Sequence, residues 1–317
     1  MKSIAALPKG RTEHVIFFGT PEIAVGPLRA LVEAGFVVDL VVTGVDKRRG
    51  RGSQTSPSPV KEAAIEMQLA VTHDVADAIA LVNKNRANNS IDTNSYLGVV
   101  VAYGHIISSE ALQVLPMINI HYSLLPRWRG AAPVERAILE GDRETGVSII
   151  QVAQQLDAGN IIAQVATDIS QTETLAELRS RLEALAEPLL LDVCQNGVSS
   201  SRPQEGEPIV AKKISPTDVR LSFFGSAEHA CRQIRIGGAF SYIKGKRLKV
   251  LTAERVSGMT IGVGEIHLVN GQVFVGFGED AIHLQTVQLE GKPSSEASSW
   301  FNGARINVGE RFDEQHQ

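Results

Sequence analysis

Asn119 and His121 stand two residues apart in the stretch from Ile118 to Pro133, INIHYSLLPRWRGAAP. In an extended strand, residues i and i+2 point to the same side, so an amide and an imidazole would face one cavity. The amide donates to a developing oxyanion; the imidazole donates when charged or carries a proton when neutral. The same pair also fits a strand end beside a hydrogen-bonded core histidine. A third residue bears on the choice. Asp157 lies in a Leu-Asp-Ala-Gly turn, where Asp before Gly is ordinarily a turn former. If that loop returns to the Asn119/His121 strand, the carboxylate orients the imidazole and favours its charged form, and a proton from an attacking amine has a path. There is no Ser or Cys nucleophile motif. Direct attack on a bound acyl carbonyl therefore fits better than a covalent enzyme intermediate. With neither H-E-x-x-H nor Cys-x-x-Cys present, no catalytic metal is expected.

The elements that would carry these residues alternate between strand and helix. His14 to Phe18 reads as a buried strand, followed by Gly19 for a turn, Thr20 as N-cap and Pro21 at the first helical position. A helix toward Ala34 and a Val-rich run from Phe36 to Thr43 complete a βαβ unit. Its turn lacks the glycines of G-x-G-x-x-G, which argues against NAD or FAD. Helix 60–68, a short strand near 69–72, a strand Leu97–Ala102 ending in Tyr103-Gly104-His105, and the Asn119/His121 strand continue the pattern. Pro126 marks where the chain leaves the sheet. A helix over 133–140, strands over 147–152 and 161–165, and a helix over 175–194 follow. The polar run 83–95 reads as an exposed loop. Residues 196–208 have linker composition. Beyond them, short strands at 248–251, 262–269, 272–277 and 282–287, after one helix over 226–236, suggest a small antiparallel barrel.

At 317 residues, 43% hydrophobic and 21% charged, the chain fits an ordinary soluble globular protein, long enough for two domains or for a single large α/β domain. No apolar run is long enough to span a bilayer, and the leader MKSIAALPKGRTEH lacks the apolar core of a signal peptide. Two cysteines without metal spacing suit a reducing cytoplasm. The net charge of −4 excludes a polyanion binder acting through its overall charge. Two local features stand out. The loop 46–59 carries Lys47, Arg48, Arg49 and Arg51, and the stretch 212–255 holds ten basic residues against three acidic. Both suit phosphate contacts; equally, composition alone allows an idle loop and an ordinary solvated face.

The run Val99–Gln164 closely resembles the methionyl-tRNA formyltransferases, within the wider family of 10-formyltetrahydrofolate-dependent transferases. VVVAYGHII, NIHYSLLPRWRGAAPVERAILEGDRETGVSI and LDAGNII carry the resemblance, with FFGTPEIAV at 17–25 and SPSPVK at 56–61. It implies an α/β chain: a Rossmann-like formyltransferase domain with a mostly parallel sheet over 1–195, a linker at 196–208, and a smaller OB-like β-barrel over 209–317 that binds tRNA. It implies catalysis by Asn119, His121 and Asp157. Folate contacts fall to Ser123, Leu124, Leu125 and Pro126, with Tyr103 and Gly104 beside them. It assigns tRNA contacts to Lys47, Arg48, Arg49 and Arg51, where Arg51 matches an important arginine of the family, and to Lys212, Lys213, Lys244, Lys246 and Arg247 of the barrel strip. The implied substrates are 10-formyltetrahydrofolate as donor and initiator methionyl-tRNA as acceptor, for a monomeric cytoplasmic enzyme with no metal and no membrane contact. Departures are Tyr122, where the family often has a small residue, IGGAFSY at 236–242 and Phe223.

Two other functions compete with this one. A sugar-nucleotide N-formyltransferase would share the catalytic triplet, but the two basic features argue against it. A non-catalytic folate- or RNA-binding protein would have no use for an intact triplet.

Overall fold

The computed structural model describes residues 4–48, 55–88 and 96–313, with the side chain of Arg48 left aside. Its first strands are β1 (His14–Gly19), β2 (Val37–Val42), β3 (Lys47–Arg48), β4 (Thr55–Ser56), β5 (Val71–Thr72), β6 (Tyr96–Val101) and β7 (Met117–His121). Next come β8 (Arg129–Gly130), β9 (Glu144–Gln151), β10 (Ile161–Asp168) and β11 (Val210–Ala211). Helices α1 (Val25–Glu33), α2 (Pro59–Glu66), α3 (Val75–Ala87), α4 (Ser109–Val114), α5 (Pro133–Glu140) and α6 (Leu175–Asn196) connect them. The main sheet runs β10-β9-β7-β6-β1-β2-β5. It is parallel from β7 to β5, and β9 and β10 are antiparallel.

All six residues of β6 are buried, as a central parallel strand covered on both faces requires. The strand order reverses between β1 and β6, and in open α/β sheets the crevice beyond the carboxyl ends at such a point holds the ligand. Gly19 ends β1 there; a Cβ would stand 2.8 Å from the Ala24 side chain and 3.2 Å from the Val101 carbonyl. Thr20 does not cap a helix. Its hydroxyl donates to the Tyr103 carbonyl at 3.0 Å and accepts from the Gly44 amide at 3.2 Å, tying the two strand ends together. A short 3₁₀ turn (Glu22–Ala24) precedes α1. Elsewhere the helices start on side-chain caps: Ser58 caps α2 with Pro59 behind it, Asp74 caps α3 and Ser108 caps α4, the last two helices being ones the sequence reading did not name.

By contacts the chain divides into two units. The first comprises Met1–Val134, Glu144–Asp168 and Arg179–Lys212; the second comprises Glu135–Arg143, Ile169–Leu178 and Lys213–Gln317. In the second unit lie α7 (Pro216–Val219), α8 (Ala227–Arg235), β12 (Phe240–Ile243), β13 (Lys246–Val256), β14 (Glu265–Val269), β15 (Gln272–Gly276), β16 (Ala281–Leu289), β17 (Ser295–Glu296), α9 (Ala297–Gly303) and β18 (Glu310–Arg311). The sheet order is β12-β13-β16-β15-β14-β18, antiparallel throughout, with β17 added to β16. Leu248, Val250, Ile266, Val273, Val275, Ile282 and Leu284 fill it, with Trp300 and Phe301 of α9 and Ala230 and Ile234 of α8. The mostly parallel sheet and the barrel-like antiparallel sheet are thus both present, each of seven strands. Phe223 stacks on Phe312 at 4.8 Å and lies 5.1 Å from Phe277, so this departure is an aromatic core contact.

Several sequence expectations fall differently. Residues 83–87 are the last turns of α3, because Val82 and Ala78 bury against the sheet and carry the helix on. The end of the Asn-rich run, 89–95, lies outside the described residues. The ends of the basic loop pair as β3 and β4. Val210 and Ala211 pair with Arg129 and Gly130 as a strand.

Candidate active site

Strand β7 puts Asn119 opposite Val100 of β6 and Ile150 of β9, and His121 opposite Ser148. Asn119 is half-buried and His121 is buried. Asp157, in the loop between β9 and β10, returns to both of them. Its Oδ1 accepts from the Asn119 amide at 3.2 Å, and its Oδ2 lies 3.5 Å from His121 Nδ1. Oδ2 also accepts from the Gly130 amide at 2.8 Å. Ion pair and amides together hold a carboxylate whose side chain is only 8% exposed, where an unpaired charge would be costly. Asp157 adopts a left-handed φ of +50°, a conformation that a non-glycine residue keeps only where its surroundings enforce it. Gly159, two residues on, is required by space: a Cβ there would stand 1.7 Å from the Gln151 carbonyl oxygen.

His121 Nε2 lies 2.8 Å from the Trp128 carbonyl oxygen. A carbonyl only accepts, so Nε2 carries a proton. The other ring nitrogen, Nδ1, faces Asp157 Oδ2 at 3.5 Å. Both ring nitrogens therefore face protein groups, while the Asn119 amide keeps a second hydrogen beyond the one it gives to Asp157. The carbonyl that anchors the ring belongs to a buried Trp128 at φ +66°, with the Arg127 guanidinium 4.6 Å above its indole. Tyr122, on the opposite face of the strand end, donates to the Ile23 carbonyl at 3.2 Å. Burial pushes its hydroxyl far above the usual phenol range, with Glu183 and Glu187 adding to the effect.

The 123–126 segment is shaped by residues that sequence reading did not select. The buried Ser148 hydroxyl donates to the Ser123 carbonyl at 2.6 Å and accepts from the Leu125 amide at 3.2 Å and Gln164 Nε2 at 2.8 Å. Ser123 donates to the Arg127 carbonyl at 2.6 Å. Leu125 packs with Ile150 and Ile161, and its bond to Pro126 is cis. Leu124 and Pro126 are half-buried. Tyr103 offers backbone only: its ring is buried edge-on to Phe18 at 5.6 Å, and the exposed Gly104 follows at φ +80°. No motif flags Ser148, Gln164 or the Trp128 carbonyl, since each acts through a contact distant in sequence or through the backbone. Among the described residues no group of three or more His, Cys, Asp and Glu side chains could hold a metal ion.

The basic residues separate by surroundings. Lys47, Lys212, Lys213 and Lys246 are exposed. Lys244 pairs with Glu310 at 3.1 Å and donates to the Arg305 carbonyl at 2.9 Å. Arg247 is half-buried, with its guanidinium 3.8 Å over the Phe240 ring. Arg232 and Arg255 pair with Glu228, and Arg255 also with Asp280. Much of the excess charge in 212–255 is thus engaged inside the second unit. Arg48's side chain and all of Arg49 and Arg51 lie outside the described residues. Asp46 and Lys61, at the two ends of the basic loop, form an ion pair at 2.8 Å.

Comparison with known proteins agrees with the fold. A methionyl-tRNA formyltransferase of Symbiobacterium thermophilum is 38% identical over 312 residues, 94% of each chain. One from Jannaschia sp. (strain CCS1) is 36% identical over 304 residues, 93% of this chain and 98% of the relative. The crystal structure of WlaRD, a sugar 3N-formyl transferase in the presence of dTDP and 5-N-formyl-THF, matches with a TM-score of 0.62 at 18% identity. That match covers 90% of this chain and all of the other. The formyl transferase family model matches residues 13–194, and the formyl transferase C-terminal domain model matches 213–305. The chain belongs to the formyl transferase family.

Proposed function

We propose that the protein transfers a formyl group from 10-formyltetrahydrofolate to the amino group of methionine on initiator methionyl-tRNA. The convergence of Asn119, His121 and Asp157 from β7 and the β9–β10 loop carries this reading. The neutral amine attacks the formyl carbon. The new carbon–nitrogen bond forms, the bond to the folate nitrogen breaks, and the proton lost by the amine leaves by way of Asp157 toward that nitrogen. The Asn119 amide donates to the oxyanion that develops on the formyl oxygen. His121, charged and held by Trp128, supports Asp157 and the same oxyanion through its field.

The donor is read against Ser123, Leu124, Leu125 and Pro126, with the Tyr103-Gly104 backbone beside them, in the domain spanning about 1–195. The acceptor is read against the basic loop of Lys47, Arg48, Arg49 and Arg51, against Lys212, and against the barrel domain through Lys213 and Lys246. The internal pairing of Lys244 and Arg247 gives those two a smaller share. We further read the protein as a cytoplasmic monomer; its free thiols suit that compartment, and sedimentation at 34.1 kDa is the mass expected.

The experiment supplies 10-formyltetrahydrofolate with methionyl initiator tRNA, uncharged tRNA, elongator methionyl-tRNA and an amino-sugar nucleotide. Formylation of the charged initiator alone is expected. Transfer to the amino-sugar nucleotide instead would move the protein to the sugar branch of the family. Arg51→Ala is expected to weaken transfer to tRNA, with salt-sensitive residual binding and unchanged folate affinity by calorimetry. An equal loss of folate affinity would shift the loop to the donor side.

A further inference from the structure

We infer that Gln204 is a positioning residue for formyl transfer, fixing the loop that carries Asp157. The inference rests on the reading that Asp157 takes part in the reaction. Gln204 lies in the 196–208 stretch of linker composition and is half-buried between exposed neighbours. Its Oε1 accepts from both Nε and an Nη of Arg129, at 2.9 and 2.7 Å. Its Nε2 donates to the carbonyls of Asp157 and Gly159, each at 2.8 Å. A primary amide has two hydrogens and two acceptor sites, and all four are used. The partners also fix its orientation, with only donors on one side and only acceptors on the other.

The chain on either side is anchored. Arg202 exchanges backbone hydrogen bonds with Ile161 at 2.8 and 2.9 Å, and its guanidinium donates to Gln164 Oε1 at 2.7 Å. Downstream, the Arg129 amide donates to the Ile209 carbonyl and the Ala131 amide to the Ala211 carbonyl, both at 2.9 Å. Residues 202–211 therefore form a strap from β10 to β8, with Gln204 as its contact with the Asp157 loop. The two carbonyls it holds flank the left-handed turn at Asp157 and the tight approach of Gly159 to Gln151. Asp157 Oδ2 in turn accepts from Gly130, the neighbour of Arg129. Arg129, Gln204 and the Asp157 loop close a ring around the carboxylate.

The test compares full-length wild type with Gln204→Leu, Gln204→Glu, Asp157→Asn and the Gln204→Leu/Asp157→Asn pair in formyl transfer, with thermal melts alongside. Gln204→Leu is expected to lower kcat by about 10- to 100-fold, as a displaced catalytic loop does, with KM for both substrates nearly unchanged. In the Asp157→Asn background the same change is expected to cost little, because the two act as one unit. Gln204→Glu is the second arm should Gln204→Leu fold poorly. As a carboxylate it turns an acceptor toward two carbonyls, and protonation restores one donor. Its kcat is expected to fall at least as far as that of Gln204→Leu with KM for both substrates nearly unchanged, a split that loss of a merely structural tether would not produce. Wild-type kcat in Gln204→Leu or in Gln204→Glu, or an equal loss in both backgrounds, would overturn the role of Gln204 while leaving Asp157 standing. Wild-type kcat in Asp157→Asn would overturn the reading beneath it.

Discussion

Gly159→Ala adds one methyl group and no conformational strain, and it is expected to disable the site. The new Cβ would stand 1.7 Å from the Gln151 carbonyl oxygen and 2.9 Å from its carbon. Close carbon–oxygen contacts sit near 3.3 Å, so about 1.6 Å of separation must open. Gln151 is held to Ile118 in the sheet register, and its amide donates to the Asn160 carbonyl at 3.0 Å. The loop therefore yields before the strand does. A shift of about 1 Å at Asp157 stretches its bonds to Gly130 and Asn119, now 2.8 and 3.2 Å, past useful length. A displacement of that size costs about 10² in turnover. The assay is steady-state formyl transfer to methionyl initiator tRNA, with a circular-dichroism melt to show that the sheet survives. A folded Gly159→Ala enzyme with kcat within about threefold of wild type would refute the link between loop position and rate.

Other outcomes follow from particular side chains. The Cys194 thiol is fully buried, which pushes its pKa up to about 12. It is expected to resist a thiol reagent near pH 8 in the native protein and to react on unfolding, and fast native labelling would contradict that burial. The Arg136 guanidinium at 2.7 Å, with the hydroxyl and amide of Ser215, holds the Asp218 carboxyl far below its ordinary 3.8. A depressed folded value stabilises above the unfolded value and loses that contribution as pH falls through the folded one. Arg136→Met is therefore expected to cost about 1–2 kcal/mol in urea unfolding at neutral pH, and progressively less below about pH 4. A cost that does not vary with pH would count against the pair.

How much of this was readable from sequence depends on how local each feature is. Asn119 and His121 share a side because strands repeat every two residues, and that survives any tertiary detail. Asp157 was a candidate only if its loop returned to that strand, since its turn composition alone is ordinary, and the resemblance strengthened it. The signals that misled were also local. Thr20-Pro21 reads as a helix start, yet the Thr20 hydroxyl serves the Tyr103 carbonyl and the Gly44 amide across the strand ends. Residues 83–87 look polar and exposed, yet they continue a helix whose inner face is already buried. Ser148, Gln164 and Gln204 were invisible because their work is to satisfy backbone groups 23 to 47 residues away. A count of charges likewise does not show that Lys244 sits on Glu310 or Arg247 over Phe240.

The most direct test of the account is the single-turnover rate of formyl transfer to methionyl initiator tRNA by Asp157→Asn against wild type. The change keeps shape and burial while removing the charge that Asn119, Gly130 and His121 surround. The account predicts a rate lower by about 10²–10³ with folate affinity unchanged. Equal rates in a folded protein would contradict it.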